Sequence, residues 1–326
     1  MVGLQLVHVM NYDKQFQHLE HLLDIDLRDQ QHPLHIYTNE YWHAREKIAE
    51  RFIKWELSNY LSIIKPSNTV LDLACGGAFF GRNIVQLIDA SKFCCIDINP
   101  RQLNLARKLN SELIDVETYE AQLNLGKDPL PFASNSIDIA IMINSIYYLS
   151  DSQKIKLFKE VSRCVRPSGR FIFSIENSLY WRNTHPYLPP LAFFWLYPHR
   201  IAEKILIKKG LSEKLPKFNL HHHCSVLTYL RFLREVQAEK VTLLLTNTLE
   251  YDEKLDDHAT PPFPNNDPIG VTINSRKKEI INYFNIFQHG TLGDKIYSKI
   301  AKSMIHLGLY KLPFLTAPRI VFLVQF

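Results

Sequence analysis

Between residues 67 and 177, apolar positions follow two alternating patterns. Short apolar runs are typical of buried strands, and apolar residues every three or four positions are typical of amphipathic helices. The predicted strands are Thr69–Ala74, Lys92–Ile96, about Ile114–Tyr119, Ser136–Ile143 and Arg170–Ile175. The predicted helices are Phe79–Ile88, Pro100–Leu109 and Gln153–Cys164, capped by Ser150 or Asp151. Strands alternating with helices indicate parallel βαβ units, so we predict an α/β fold with a doubly wound sheet.

The flanking segments are predicted to be largely helical. Residues 1–66 have helical spacing over Tyr12–Ile25 and Glu40–Ile64, while residues 178–220 combine the aromatic run LAFFWLYP with a basic helix. Residues 221–251 hold a helix and a sixth strand, Val241–Tyr251. Residues 252–316 are predicted to form a helical insertion. Residues 317–326 are predicted to contain the last strand, Arg319–Phe326.

Composition narrows the class of protein without naming a ligand. The 326 residues are 46% apolar and 22% charged, which is ordinary for a soluble globular protein. A formal charge of +5 permits an acidic partner but does not require nucleic acid. The five cysteines have no C-x-x-C spacing, so we expect free thiols and no metal site. Without an evident signal peptide or long apolar span, a cytoplasmic location is expected.

The segment NTVLDLACGGAFFG, residues 68–81, indicates a nucleotide-type ligand. A strand, the turn Cys75-Gly76-Gly77 and a helix start would present backbone N–H groups and the positive end of a helix dipole. Asp97 ends the next apolar run, where a carboxylate suits a ribose diol.

Two ligands compete for this segment. Gly76, Ala78 and Gly81 occupy the three positions of G-x-G-x-x-G, which is typical of dinucleotide sites. However, the Cβ of Ala78 would obstruct a pyrophosphate, and Asp72 has no role in that pattern. Asp72 has a role if the ligand is a cationic sulfonium with an amino-acid tail.

The segment Asp72-Leu73-Ala74-Cys75-Gly76-Gly77 resembles the first motif, D-L-G-C-G-x-G, of class I S-adenosylmethionine-dependent methyltransferases of the small-molecule type. It departs from that motif at Ala74 and Ala78. Glu120-Ala121 resembles the pair of residues that meets the adenine amino group in this family. Leu130-Pro131-Phe132 resembles the stretch before strand four. Residues 161–169 resemble the turn before strand five. The resemblance implies a mostly parallel, seven-stranded Rossmann-like sheet with the last strand as its antiparallel edge. It also implies a helical cap (1–66), a core (67–177) and a substrate lid (178–220).

The expected cofactor is S-adenosyl-L-methionine. Its predicted binding residues are Tyr41, Asp72, Ala74, Cys75, Gly76, Gly77, Asp97, Ile98, Glu120, Ala121, Asn144 and Ser145. Tyr37 and Trp42 are further aromatic candidates, with packing as the alternative role.

Catalysis by such an enzyme mainly aligns the reactants, and a hydroxyl acceptor also needs a base. Histidine suits that task near neutral pH, which makes His223 and His222 the candidates within the run His221–His223. A solvent-facing or capping role is the alternative for these residues. His185 is another candidate base, while Tyr147 or Tyr148, after strand four, and Glu176-Asn177, after strand five, could contact the acceptor.

The predicted function is methyl transfer to a small-molecule or lipid-like acceptor at oxygen, as in secondary metabolite biosynthesis. N-methylation of a metabolite, methylation of RNA or protein, a non-catalytic binder and a nicotinamide dehydrogenase are the alternatives. The aromatic lid could wall the acceptor pocket or touch a membrane peripherally. Nucleic acid is not favoured because Glu203 and Glu213 dilute the basic cluster of residues 200–217. A monomer or homodimer is expected.

Overall fold

The computed structural model describes residues 39–61, 68–176, 204, 207–208, 226–246, 303 and 319–326. The predicted helix Tyr12–Ile25 and nearly all of residues 178–220 and 252–316 lie outside these ranges. The chain divides into two compact units, Met1–Leu123 and Asn124–Phe326.

The first unit contains three parallel strands. These are β1 (Thr69–Leu73), β2 (Lys92–Asp97) and β3 (Glu117–Gln122), with β2 paired to both β1 and β3. The apolar runs that predicted β1 and β2 are almost entirely buried. Parallel strands thus bring the carboxyl ends of β1, β2 and β3 to the same edge.

Strand β3 begins three residues later than predicted, at Glu117 instead of Ile114. Leu113 belongs to a turn instead, because its N–H donates to Asn110 O over 3.0 Å. Ile114 is 84% exposed, and Asp115 has a φ of +59°. The prediction relied on apolar residues and therefore placed β3 too early, because the residues of this edge strand are mostly polar.

Helices make up most of the other described residues of the first unit. They are α1 (Asn39–Arg51), a π-helix (Phe52–Leu57), α2 (Ser58–Leu61), α3 (Phe79–Ile88) and α4 (Pro100–Asn110). The segment predicted as one helix over Glu40–Ile64 is thus interrupted by a π-helix. Phe52 is fully buried and meets Phe80 of α3 edge-on, with ring centroids 6.1 Å apart. The π-helix therefore begins with a residue that packs against α3.

The second unit contains β4 (Ile137–Met142), α5 (Asp151–Cys164), β5 (Val165–Glu176), α6 (Val226–Glu235), β6 (Lys240–Thr246) and β7 (Arg319–Gln325). Ser150, one of the two predicted caps, forms a capping box with Gln153 at the start of α5. Strands β4 and β5 are parallel, whereas β7 is antiparallel to both β5 and β6.

The strand order is β3-β2-β1-β4-β5-β7-β6. This confirms the predicted α/β class with a mostly parallel seven-stranded sheet. One detail was wrong: β7 is antiparallel, as expected, but β6 and not β7 occupies the edge. The predicted cap, lid and domain boundaries stay predictions.

Aromatic rings fill the core of the second unit. Phe173 of β5 and Phe322 of β7 are register partners, and their rings stack at 4.6 Å with an angle of 8°. Phe158 of α5 lies 5.2 Å from Phe173, and Tyr229 of α6 lies 5.7 Å from it. Both helices are thereby anchored to one ring in the sheet.

The start of β5 differs from the predicted turn over residues 166–169. Val165 already pairs with Ile137, and Arg170 pairs with Ile139, so the intervening residues form a bulge opposite Asp138. Arg166 Nη1 lies 2.8 Å from Asp138 Oδ1. A Cβ on Gly169 would stand 2.6 Å from Asp138 O, so only glycine fits this close approach.

Within the described ranges, no helix is both long and apolar enough to span a bilayer. The same residues contain no group of three histidine, cysteine, aspartate or glutamate side chains that could hold a metal ion.

Candidate active site

The turn between β1 and α3 has a left-handed backbone at three positions. Ala74, Gly76 and Ala78 have φ angles of +52°, +55° and +61°. Two backbone hydrogen bonds close the turn: Cys75 N–H donates to Ile96 O over 3.0 Å, and Ala78 N–H donates to Cys75 O over 2.8 Å. Residues with a Cβ are strained in this conformation, and such strain is concentrated at functional sites.

Asp72 lies inside β1 and is only 3% exposed. Its Oδ2 accepts a hydrogen bond of 3.1 Å from Gly81 N–H. Burial raises the pKa of Asp72 to about 8; the Gly81 N–H opposes this shift, the charge of Asp97 adds to it, and the charge of Arg45 opposes it. Little in the protein stabilises the ionised form of this buried carboxyl group, so the site is suited to a ligand that carries positive charge.

Asp97 is the last residue of β2 and is 9% exposed. Its Oδ2 accepts from Gly76 N–H and its Oδ1 from Asn99 N–H, each over 2.9 Å. A carboxylate offers about four acceptor positions, so roughly two remain for hydroxyl groups. The side chain is therefore fixed in place and still able to bind a diol.

Ile98, directly after Asp97, is 58% exposed. Its carbonyl oxygen accepts from Gln122 Nε2 over 3.1 Å, and Gln122 is the register partner of Asp97. An exposed apolar side chain beside an acid with acceptor capacity suits the face of a planar base. The sequence interpretation passed over Gln122, which fixes the backbone at this position.

Gln102, in the first turn of α4, is a second residue that the sequence interpretation missed. Its Oε1 is shielded from solvent and meets no donor among the described residues. This oxygen lies 3.7 Å from the place that a Cβ on Gly76 would occupy. A glutamine two positions after Pro100 carries no signal of its own in the sequence.

Glu120 and Ala121 lie near the end of β3, beside Cys95 and Ile96 of β2. Glu120 Oε1 accepts from Asn110 Nδ2 over 3.2 Å, and its Oε2 lies 3.6 Å from Arg107 Nε. Helix α4 therefore holds this carboxylate. The predicted contact with adenine stays a prediction.

Cys75 and Gly77 shape the turn. Burial raises the pKa of the Cys75 thiol well above its usual value, and the neighbouring Cys95 thiol and carboxylates add to the effect. A thiol in that state is a poor nucleophile. A Cβ on Gly77 would stand 2.6 Å from the Phe79 ring, so this position requires glycine.

Helix α1 packs against α3 in the same unit. Asn83 Nδ2 donates to Glu46 Oε1 over 3.2 Å, and the Arg45 guanidinium lies 5.2 Å from the centroid of the Phe80 ring. Burial raises the pKa of Glu46. Tyr41 belongs to α1, but its side chain and all of Tyr37 lie outside the described part of the chain.

The loop after β4 belongs to the second unit. Asn144 has a φ of +56°; its N–H donates to Ser174 Oγ over 2.8 Å, and Ser174 Oγ donates to Asn144 Oδ1 over 3.1 Å. Ser145 is buried and bonds to Ile143 O over 3.3 Å. Ser174 thus fixes the strained Asn144, and the Asn144 amide nitrogen is directed away from Ser174.

Tyr147 and Tyr148 form a short 3-10 helix with Ile146, and their rings lie 4.7 Å apart. Tyr148 is 58% exposed, whereas Tyr147 is partly buried. The histidines proposed as bases, His222 and His223, together with His221, His185 and Asn177, lie outside the described residues. Glu176 ends β5, with its side chain outside them.

The first unit fits the expected sulfonium nucleoside. Asp72 offers a buried carboxyl group to a cation, Asp97 has acceptor capacity for a diol, and Gln102 Oε1 needs a donor. Because Gly76 has no side chain, the space between the turn and Gln102 stays open. These groups can bind and orient a charged, hydroxyl-bearing ligand.

A family model described as a methyltransferase domain matches residues 70–169. Residues 70–169 therefore carry a methyltransferase domain. The matched range includes every predicted cofactor-binding residue except Tyr41. No curated protein matches the chain.

Solved structures similar to this chain include a protein from Pyrococcus horikoshii OT3, with 26% identity, 43% of this chain and 60% of that chain covered, and a TM-score of 0.33. Another is phosphoethanolamine N-methyltransferase 2 from Haemonchus contortus, with 12% identity and a TM-score of 0.47. This match covers 89% of this chain and 57% of that chain. The chain therefore spans less than two thirds of these two proteins. An S-adenosylmethionine-dependent methyltransferase from Mesorhizobium loti has 17% identity and a TM-score of 0.46. This match covers 84% of this chain and 97% of that chain.

Proposed function

We propose that this chain transfers a methyl group from S-adenosylmethionine to a small-molecule or lipid-like acceptor, at an oxygen atom. The observation that carries the cofactor assignment is the set of acceptors around the β1–α3 turn: Asp72, Asp97 and the unpartnered Oε1 of Gln102. S-adenosylmethionine offers the complementary groups, since it has a cationic sulfur, an ammonium group and a ribose diol.

Each group of the site has a proposed task. Asp97 would accept the ribose hydroxyl groups, because both of its oxygens retain acceptor capacity. Asp72 would favour the cationic part of the ligand, because a nearby positive charge stabilises a buried carboxylate. Gly76 and Gly77 would let the ligand approach the backbone, and Glu120 would receive the adenine amino group.

When bound, S-adenosylmethionine supplies a methyl group on a positively charged sulfur, an already activated donor. The protein's own contribution is to align the acceptor and exclude water. A hydroxyl acceptor must also lose its proton, and we assign that proton to His223 or His222. Tyr147 would contact the acceptor, and Asn144 and Ser145 stay predicted cofactor contacts.

Calorimetry with S-adenosylhomocysteine tests the cofactor assignment. We expect one binding site per chain and no heat with NAD. If NAD raised the melting temperature and S-adenosylhomocysteine did not, the dinucleotide interpretation would replace this one.

The acceptor class is tested with methyl-labelled S-adenosylmethionine in a cell extract. We expect the label in the fraction that organic solvent extracts, and the 13C chemical shift of the new methyl group to identify it as bonded to oxygen. Label that disappears with ribonuclease, or that precipitates with protein, would instead assign a macromolecular substrate.

A further inference from the structure

The segment between β3 and β4 lies along helix α5 in the second unit. Near the start of α5, a Cβ on Gly126 would stand only 2.4 Å from Gln153 O, so the chain passes the helix at a distance that only glycine allows. Near the end of α5, Arg163 Nη2 donates to Leu130 O over 3.0 Å. The segment and the helix are therefore fixed against each other at two points.

A cavity of about 290 Å³ lies between this segment and α5. Lys127 lines it from the segment, and Lys156 and Lys159 line it from α5, with Pro129 and Leu157 as apolar parts of the wall. All three lysines are exposed, so a ligand in solvent can reach their ammonium groups. The volume is close to the lower limit of small-molecule sites, roughly 300 Å³.

The two carboxylates of the cavity wall are already engaged. Asp128 Oδ2 accepts from Asn124 N–H over 2.7 Å. Glu160 Oε2 accepts from Leu130 N–H over 2.9 Å and from Arg163 Nη2 over 2.8 Å. The hydrogen bond from Arg163 lowers the pKa of Glu160, and the Arg163 guanidinium balances the charge of this carboxylate. Among the described residues, neither carboxylate forms an ion pair with a lysine of the cavity.

The three lysines of the cavity have no anionic partner within the ranges that the structure describes. Lys156 and Lys159 are three positions apart on α5, so their ammonium groups share a face of the helix and repel each other. These three lysines and Arg163 outnumber the two carboxylates, which leaves the wall with a formal charge of +2. An anion in the cavity would relieve the repulsion.

We propose that this cavity binds a phosphate group, free or carried by a small molecule or a lipid headgroup, through the ammonium groups of Lys127, Lys156 and Lys159. Lysine is a common phosphate ligand, because its ammonium group is a compact charge with three donors. A phosphate dianion matches the charge of the wall, and its oxygens can accept from the segment and from the helix together. None of the lining residues is a predicted cofactor or acceptor contact, so the inference goes beyond the proposed function and does not depend on it.

Binding of inorganic phosphate and of glycerol 3-phosphate to the full chain tests the assignment. Calorimetry in chloride buffer of constant ionic strength compares wild type with the cavity variant, Lys127→Gln/Lys156→Gln/Lys159→Gln. We expect wild type to bind at least one of the two ligands. The cavity variant should bind that ligand at least about 10-fold more weakly, because hydrogen bonds from charged donors are the stronger class.

Vesicles of phosphatidylcholine, with and without phosphatidic acid, separate the two sources of the phosphate group. Heat with the soluble ligands assigns the site to free phosphate or a small phosphate ester. Co-sedimentation of wild type only with vesicles that contain phosphatidic acid, and its loss in the cavity variant, assigns the site to a lipid headgroup.

The matched control is Lys54→Gln/Lys108→Gln/Lys240→Gln, which removes three exposed lysines elsewhere and changes the net charge equally. It should bind as wild type does. The cavity variant should melt no lower than wild type, because its substitutions are exposed and remove like-charge repulsion. The inference is overturned if wild type binds neither soluble ligand nor vesicles with phosphatidic acid. Equal binding by the cavity variant and the control would also overturn it.

Discussion

Asp72 Oδ2 accepts the backbone N–H of Gly81 over 3.1 Å, which joins the end of β1 to the first turn of α3. The contact requires glycine, because a Cβ on Gly81 would lie 2.8 Å from that oxygen and 2.4 Å from the Phe93 ring. The strand, the buried acid and the helix start are therefore one packed unit.

Gly81→Ala is expected to lower the free energy of unfolding by about 1–3 kcal/mol, because the added methyl group overpacks a site without space. Urea denaturation measures the change. The matched control is Ser134→Ala, at an exposed loop position, which should change stability by less than about 0.5 kcal/mol. Equal stability of Gly81→Ala and wild type would show that α3 can move away from β1.

Asp72→Asn is expected to change the pH dependence of stability. The pKa of Asp72 is about 8 in the folded protein against 3.8 as its reference value, so between these pH values the folded state binds more protons than the unfolded state. The free energy of unfolding of wild type should therefore fall as pH rises from 4 to 8.

The Asp72→Asn variant lacks this contribution, while asparagine can still accept from Gly81 N–H. The free energy of unfolding of Asp72→Asn should exceed that of wild type most near pH 8, and the difference should disappear near pH 4. Urea denaturation across this pH range measures it. The affinity of the variant for S-adenosylhomocysteine should fall, because the carboxylate that favours a cation is gone. Parallel stability curves for the two proteins would contradict the burial argument.

Asp97→Asn is expected to weaken binding of S-adenosylhomocysteine by about 10- to 100-fold, the usual effect of losing hydrogen bonds to a charged group. The amide must also place its NH2 group against the N–H of Gly76 or of Asn99. Asp89→Asn is the control, since Asp89 is exposed and its φ of +49° suits asparagine. Unchanged affinity in Asp97→Asn, measured by calorimetry, would remove the acid from the site.

Ser174→Ala is expected to destabilise the second unit by about 1–3 kcal/mol, because Asn144 would lose both the acceptor for its N–H and the donor to its Oδ1. Ser174 is fully buried, so water cannot easily replace the hydroxyl group. Ser174→Thr, which retains the hydroxyl, should recover part of the loss. Thermal unfolding measures both variants, and equal melting of Ser174→Ala and wild type would show that Asn144 is held by its other contacts.

Periodicity predicted the elements with strong burial. Strands β1, β2 and β4 and helices α3 to α5 lie within two residues of the predicted bounds, because each buries a face or both faces of apolar residues. Strand β3 was misplaced, because its residues Glu117–Gln122 are mostly polar and the apolar Leu113 and Ile114 belong to the preceding turn. Edge strands lack the burial that makes the pattern visible.

The backbone geometry of the site was harder to predict. Glycines and acids at fixed spacing predicted that the β1–α3 turn and Asp97 belong to one site, and they are joined through Gly76 N–H. The left-handed backbone of Ala74 and Ala78 was not predicted, because alanine carries no local preference for positive φ. Gln102 was missed because a glutamine in a first helical turn is ordinary until its oxygen is found without a donor.

Strand β7 follows β6 in sequence, yet it lies between β5 and β6 in the sheet. During synthesis, β5 and β6 therefore leave the ribosome before the strand that joins them, and residues 247–318 must follow before Arg319–Gln325 can insert. Until then both strands present open backbone edges that could pair with other chains. Assembly of this part of the sheet therefore waits for β7, and the facing edges of β5 and β6 stay open for as long as it takes to make residues 247–318.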